Sequence, residues 1–182
     1  MTGVLPVISA AYSAVEAPES WRNIAPQIAR LLNAHAFSVQ RQASNVATCE
    51  TVDSFGLSED WIREYSRHWD SSNEWRVRGL AAAAARPPSA RYAAVHMSSL
   101  IAPHDFRKTP TFQQSLSAAD LYDCIAIPIN AEGDRMWMAF FCGRAKDQFS
   151  AGEIAIADEL SPHIGRAARL TRDRSAAVRY FD

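Results

Sequence analysis

The chain has 182 residues, 48% of them hydrophobic, and its 19 Lys and Arg stand against 20 Asp and Glu for a formal charge of −1. A chain of this length buries roughly 70% of the surface that its unfolded form exposes, so one ordinary domain can form without disulfides or a structural metal. The charge balance excludes an overall basic surface for nucleic acid. Cys49, Cys124 and Cys142 form no C-x-x-C pair and read as free thiols in a reducing compartment, the cytoplasm.

No run of about 18 apolar residues occurs, and residues 1–10 lack the flank and apolar stretch of a signal peptide. The first helix is expected to open at Ala17-Pro18-Glu19, with Trp21, Ile24, Ile28, Leu31 and Leu32 at helical spacing on its inward face. Residues 36–41 alternate as a half-buried strand does. Residues 46–52 form a weaker second strand, and the two are expected to pair as a hairpin.

A second helix is expected from Ser58, with Glu59 and Asp60 in its first turn and Trp61, Tyr65 and Trp69 four residues apart. The alanine run 81–85 ends in Arg86-Pro87-Pro88, a stiff connector. A short strand at 92–97 and a helix at 110–121, with Phe112 and Leu116 on one side, follow. Ile125, Ile127 and Ile129 alternate, 130–133 reads as a turn and 136–142 returns as an apolar strand; this hairpin is expected near the centre of the sheet.

The last helix has a capping box, Ser150 with Glu153, and Phe149 can staple to Ile154 around it. Its inward stripe is Ile156, Leu160, Ile164 and Ala167 or Ala168, and Pro162 is expected to bend it. These elements predict one α/β (α+β) domain over 1–182, an antiparallel sheet covered by helices.

Catalytic motifs are missing: there is no G-x-S-x-G, no phosphate-binding glycine loop and no pairing of the five histidines at a ligand spacing, so neither a cofactor nor a metal is expected. His104-Asp105 reads as a solvated loop, His163 as a structural partner, and Cys124 and Cys142 as apolar filler in strands. The rings of Trp61, Tyr65, Trp69 and Trp75 have two readings. They either close the core or form the wall of a pocket, since Trp and Tyr combine flat apolar surface with a polar tip.

The order of segments resembles the N-terminal sensor domain of LuxR-type transcriptional regulators, a GAF/PAS-like fold, over about residues 12–171. The resemblance rests on Trp61-x-x-x-Tyr65 with Asn73-Glu74-Trp75, on 106–121 leading into Cys124-Ile-Ala-Ile-Pro128-Ile, on 136–142, and on Phe149-Ser150 before Leu160-Ser161-Pro162-His163. In autoinducer-binding members the matching Trp and Tyr line the ligand cavity, and an Asp nearby accepts a hydrogen bond from the ligand amide. Asn73 stands roughly at that Asp, Glu74 replaces the proline that follows it, and Phe140 stands where a hydroxyl is common. These departures point away from an acyl-homoserine lactone and towards a different small apolar or amphipathic molecule.

The resemblance implies a non-catalytic, ligand-sensing regulatory domain with Trp61, Tyr65, Asn73, Trp75 and Phe140 at the ligand. It implies DNA contact only through a helix-turn-helix absent from this chain, with 172–182 as the linker towards it and Arg166, Arg169, Arg172 and Arg174 as a solvated face. A homodimer through the terminal helices is expected, with Ala155, Ala167 and Ala168 permitting close approach. The alternatives are an interaction module without a ligand, and a cofactor-independent enzyme resting on His104, Asp105 and His163.

Overall fold

The computed structural model describes residues 3–43, 48–130 and 134–181, with side chains described as far as Arg174. In chain order the elements are α1 (Val4–Ser13), α2 (Ile24–Leu31), β1 (Ala36–Gln42), β2 (Glu50–Phe55), α3 (Glu59–His68), α4 (Glu74–Ala84), β3 (Val95–His96), α5 (Pro103–Phe106), β4 (Asp123–Asn130), β5 (Arg135–Cys142) and α6 (Ala151–Phe181). The strands form one antiparallel sheet in the order β2-β1-β5-β4-β3.

Strand alternation divides the molecule. On one face Phe37, Ile125, Ile127, Met138 and Phe140 pack with α1, α2 and α6; on the other Ala36, Cys124, Ala126, Ala139 and Phe141 pack with α3, α4 and α5. Register holds the two sets together, since Ile125 pairs with Phe140 and Ala126 with Ala139. The hairpin of β4 and β5 therefore lies near the middle of the sheet, buried on both faces, as its continuous apolar pattern requires.

Two start signals act as read. Ser58 Oγ accepts from Trp61 N at 3.2 Å, and Ser150 N–H donates to Glu153 Oε2 at 2.9 Å while Glu153 N–H donates back to Ser150 Oγ at 3.3 Å. Other expectations change. The core begins before residue 12, because α1 buries Val7 and Ala11. The first expected helix starts as a 3₁₀ segment, Pro18–Asn23, before α2. The second strand is shifted to Glu50–Phe55; residues 44–47, and 131–133 of the expected turn, lie outside the described residues.

The expected helix at 110–121 contains one π-helical turn, Phe112–Leu116, and the strand at 92–97 contracts to β3. α6 runs on past Pro162 and through most of 172–182, so the expected linker is helical. Its Ala167 and Ala168 are buried in the chain's own core, which corrects their assignment to a dimer contact; Ala155 alone of the three is exposed.

Two contacts seat α6. Asp123, fully buried, accepts from His96 Nε2 at 2.6 Å, Ser98 Oγ at 2.6 Å, its neighbour Cys124 N at 2.8 Å and Phe149 N at 3.1 Å, joining β3, β4 and the approach to α6. Further along, the Tyr92 ring lies so close to Gly165 that a Cβ there would overlap it, and Ser161 Oγ donates to the Tyr92 carbonyl.

Candidate functional site

A cavity of about 160 Å³ lies between the α3–α4 side and the sheet, about ten times the room that one water needs. Trp61, Tyr65, Asn73 and Trp75 all line it. Phe140 does not: the pleat sends Met138, Phe140 and Cys142 to the opposite face, and Trp137, Ala139 and Phe141 of the same strand face the cavity instead. Trp69, third in the ring series, packs against the core beneath α3 without lining the cavity.

Each ring is held in place. Trp61, half-buried, stacks on Tyr65 with centroids 4.9 Å apart and donates its indole N–H to the Ser115 carbonyl at 3.2 Å. Trp75 stacks on Phe106 at 3.9 Å. Asn73 is buried and caps α4: its Oδ1 accepts from Trp75 N at 3.0 Å and its Nδ2 donates to Tyr65 Oη at 2.6 Å. Asn73 is thus engaged at both ends of its amide by the protein, whereas the sequence offered no visible neighbour for it.

Burial pushes the Tyr65 phenol up; the Asn73 bond works against this and the nearby Asp70 charge adds to it. The group stays protonated at neutral pH. Its oxygen already accepts from Asn73, which leaves its own O–H to donate.

Two polar atoms of the wall have no hydrogen-bond partner although they are buried: Ser38 Oγ and Trp75 Nε1. An orphaned buried group costs about 1–3 kcal/mol, so a structure keeps few of them without a use. Ser38 was missed in the sequence. The alternation at 36–41 placed it opposite Phe37 and Val39, and a hydroxyl at the middle of a strand in the sheet interior was the available signal.

Arg76, Arg91 and Arg135 are also among the lining residues. Arg76 lies 3.5 Å from the buried carboxylate of Asp70, donates to Cys49 Sγ at 3.0 Å, and helps tie α4 to the start of β2. Asp70 Oδ2 accepts from Cys49 N–H at 2.7 Å; burial raises this carboxylate's pKa, and the Cys49 and Arg76 contacts oppose the rise.

The residues of the enzyme alternative do not converge here. His104 and Asp105 meet at the surface, 3.1 Å apart, His163 Nδ1 lies 3.3 Å from Tyr12 Oη, and none of the three lines the cavity. Among the described residues no group of three or more His, Cys, Asp or Glu is placed to hold a metal, and no helix is long and apolar enough to cross a membrane.

No protein-family model and no curated protein matches the chain. Solved structures do. The VqsR LBD domain from Pseudomonas aeruginosa superposes with a TM-score of 0.67 at 13% identity, over 92% of this chain and 95% of that one. CepR2 from Burkholderia cenocepacia, an N-acylhomoserine lactone dependent LuxR family transcription factor, gives 0.61 at 12% over 95% and 98%. The GAF domain of a phosphoenolpyruvate-protein phosphotransferase from Coxiella burnetii gives 0.58 at 13% over 95% and 96%. The five-stranded sheet with helices on both faces is accordingly the GAF-like α/β fold that LuxR-type ligand-binding domains share.

Proposed function

We propose that this chain is a non-catalytic, small-molecule-sensing regulatory domain whose ligand occupies the cavity beside Trp61, Tyr65, Asn73 and Trp75. The observation that carries the reading is the pairing of an apolar, ring-walled cavity with buried, unpartnered polar atoms on its wall, Ser38 Oγ and Trp75 Nε1. A pocket of that kind holds an apolar body and fixes one polar end. The likeness to LuxR-type ligand-binding domains supports it. Trp61 and Tyr65 supply the flat wall, Tyr65 and Trp75 supply donors, and Asn73 holds the Tyr65 hydroxyl in position rather than meeting the ligand as a primary acceptor. Output would pass along α6 to a DNA-binding helix-turn-helix, with two copies of the domain acting together in the cytoplasm.

The test is a thermal-shift screen of fractionated metabolite extracts, with the retained molecule identified by mass spectrometry. A ligand at 100 times its dissociation constant adds about 2.7 kcal/mol of stability, well within reach of such a screen. Stabilisation that disappears in Ser38→Ala or Trp75→Phe supports the reading; a stabilising fraction that acts equally on these variants places its ligand elsewhere.

The interaction-module alternative keeps one observation in its favour. The Trp61–Tyr65 and Trp75–Phe106 stacks are also packing contacts. If Trp61→Ala unfolds the unliganded domain, that alternative gains.

A further inference from the structure

The register of the sheet shapes the floor of the cavity, and on the footing that the cavity is the ligand site its shape narrows the ligand class. Ser38 of β1 pairs with Ala139 of β5, and Ala139 pairs with Ala126 of β4, so three small side chains stand in one row across the middle of the sheet. All three line the cavity. Trp137 and Phe141, two residues away from Ala139 in either direction along β5, line it as well. The Cα atoms of these two rings are about 13 Å apart along the strand, and the small row between them runs about 10 Å from β1 to β4. The floor is therefore a shallow trough with a ring at each side.

The helix layer repeats the pattern. Trp75, Gly79 and Ala83 recur every four residues on α4 and all line the cavity, so beyond its first ring this stripe adds no more than one methyl group per turn. Met97 lies against Gly79, where an added Cβ would come within 3.0 Å of its Cε, and it puts a thioether on the wall, a group that packs well against aromatic rings. Larger side chains at Ala83, Ala126 or Ala139 would fill the space, yet about 160 Å³ stays open. An apolar cavity of about 150 Å³ is enough to take up benzene.

We infer that the cavity is a slit for a planar bicyclic aromatic molecule, which lies flat over Ala139 and Ala126 with a hydroxyl or carbonyl on its ring edge at Ser38. Ser38 Oγ, at the β1 end of the small row, is buried and has no hydrogen-bond partner among the described residues. A hydroxyl both donates and accepts, so it can serve either substituent. Trp75 Nε1–H, equally unpartnered, offers a second donor to an acceptor on the ligand. A flat ring brings one whole face against the row, whereas a puckered ring or a coiled chain of the same carbon count touches it at fewer atoms.

The experiment compares 2-naphthol with decahydro-2-naphthol, 1-decanol and 2-methylnaphthalene by calorimetry. The saturated bicycle keeps the skeleton and the hydroxyl and loses the flatness; decanol has more apolar surface, so area alone would rank it first. The expected result is 2-naphthol binding about tenfold or more tightly than either alcohol. It should also bind about fivefold or more tightly than 2-methylnaphthalene, a margin that Ser38→Ala removes. Ala139→Val, which fills the trough, should weaken 2-naphthol about tenfold or more while the melting temperature of the unliganded domain holds or rises. Ala126→Val, in the same row, carries this test if Ala139→Val does not fold. Decahydro-2-naphthol or decanol binding as tightly as 2-naphthol overturns the inference and leaves the ligand site standing. So does 2-methylnaphthalene binding as tightly as 2-naphthol, or 2-naphthol affinity that survives the filled trough. If no probe binds below about 1 mM the inference also falls, and the metabolite screen alone then decides the ligand-site reading.

Discussion

Asn73 Nδ2 and Tyr65 Oη are joined by a 2.6 Å hydrogen bond inside the wall of the cavity, and the same Asn73 side chain caps α4 through Trp75 N–H. One amide therefore sets both the direction of the phenol and the start of the helix that carries Trp75. Asn73→Ala removes a cap and strands a buried hydroxyl, and is expected to cost about 2–4 kcal/mol from the two losses together. Asn73→Asp keeps the cap and lets the phenol donate to a carboxylate, so it should recover most of that stability. Urea denaturation of both variants measures this; equal destabilisation by the two would show that the cap is not what matters.

Ser38→Ala separates a structural hydroxyl from a ligand-directed one. Ser38 Oγ is buried without a partner, so removing it should leave the unliganded domain unchanged or stabilise it by up to about 1 kcal/mol, against the usual loss for a core substitution. A drop of more than about 1 kcal/mol in the unliganded protein would assign the hydroxyl to the fold.

Acid should loosen the start of α6. Burial by itself would raise the Glu153 carboxyl. Lys146 Nζ at 2.7 Å, Ser150 N–H and hydroxyl, and the Asn33 amide at 3.0 Å outweigh it and hold the pKa at about 2 against an ordinary 4.5. Because the folded value lies below the unfolded one, the contribution is complete above the ordinary value and is lost as pH falls from about 4.5 towards about 2. The same sign holds for Asp123, where burial is outweighed by the His96, Ser98 and Phe149 contacts. Glu153→Gln should flatten this part of the stability–pH curve, and curves that stay parallel between the two proteins would contradict it.

The fit between Tyr92 and Gly165 is tight enough to test by a double-mutant cycle. Gly165→Ala should destabilise by about 1–3 kcal/mol through overpacking, despite the better helix propensity of alanine. In a Tyr92→Ala background the same substitution should be neutral or stabilising, a coupling that two independent sites would not show.

The three thiols should be slow towards alkylating reagents in the native protein. Burial pushes Cys49 up to about 11 and Cys142 up to about 12, and Cys124 is raised well above the ordinary range. Rapid native labelling of more than one thiol would indicate opening of the sheet.

Local signals were the legible part of the sequence. Ser58 and the Ser150–Glu153 box mark helix starts within a few residues, and the alternation of Ile125, Ile127 and Ile129 marks the central hairpin. α1 was not legible because it buries only Val7 and Ala11, a stripe too narrow to stand out. Type and spacing pointed to Trp61 and Tyr65, which line the cavity, and equally to Trp69, which does not; Trp75 entered through the Asn73-Glu74-Trp75 segment of the resemblance. Phe140 was misplaced because alternation gives two sets of strand residues without saying which faces the cavity, and only packing against α1, α2 and α6 decides that. Ser38, Arg91 and Arg135 come from segments far apart in the chain, and only the tertiary fold gathers them.

Arg91 and Tyr92 are consecutive, yet one lines the cavity and the other lies against α6 at Gly165. Adjacent Cα atoms are about 3.8 Å apart, so a single peptide unit spans from the cavity rim to the long helix. Arg86, donating to the carbonyls of Ala93 and Ala94, pins the chain just beyond them. With that anchor and the close fit of ring against glycine, the cavity wall and the long helix share one short stretch of backbone.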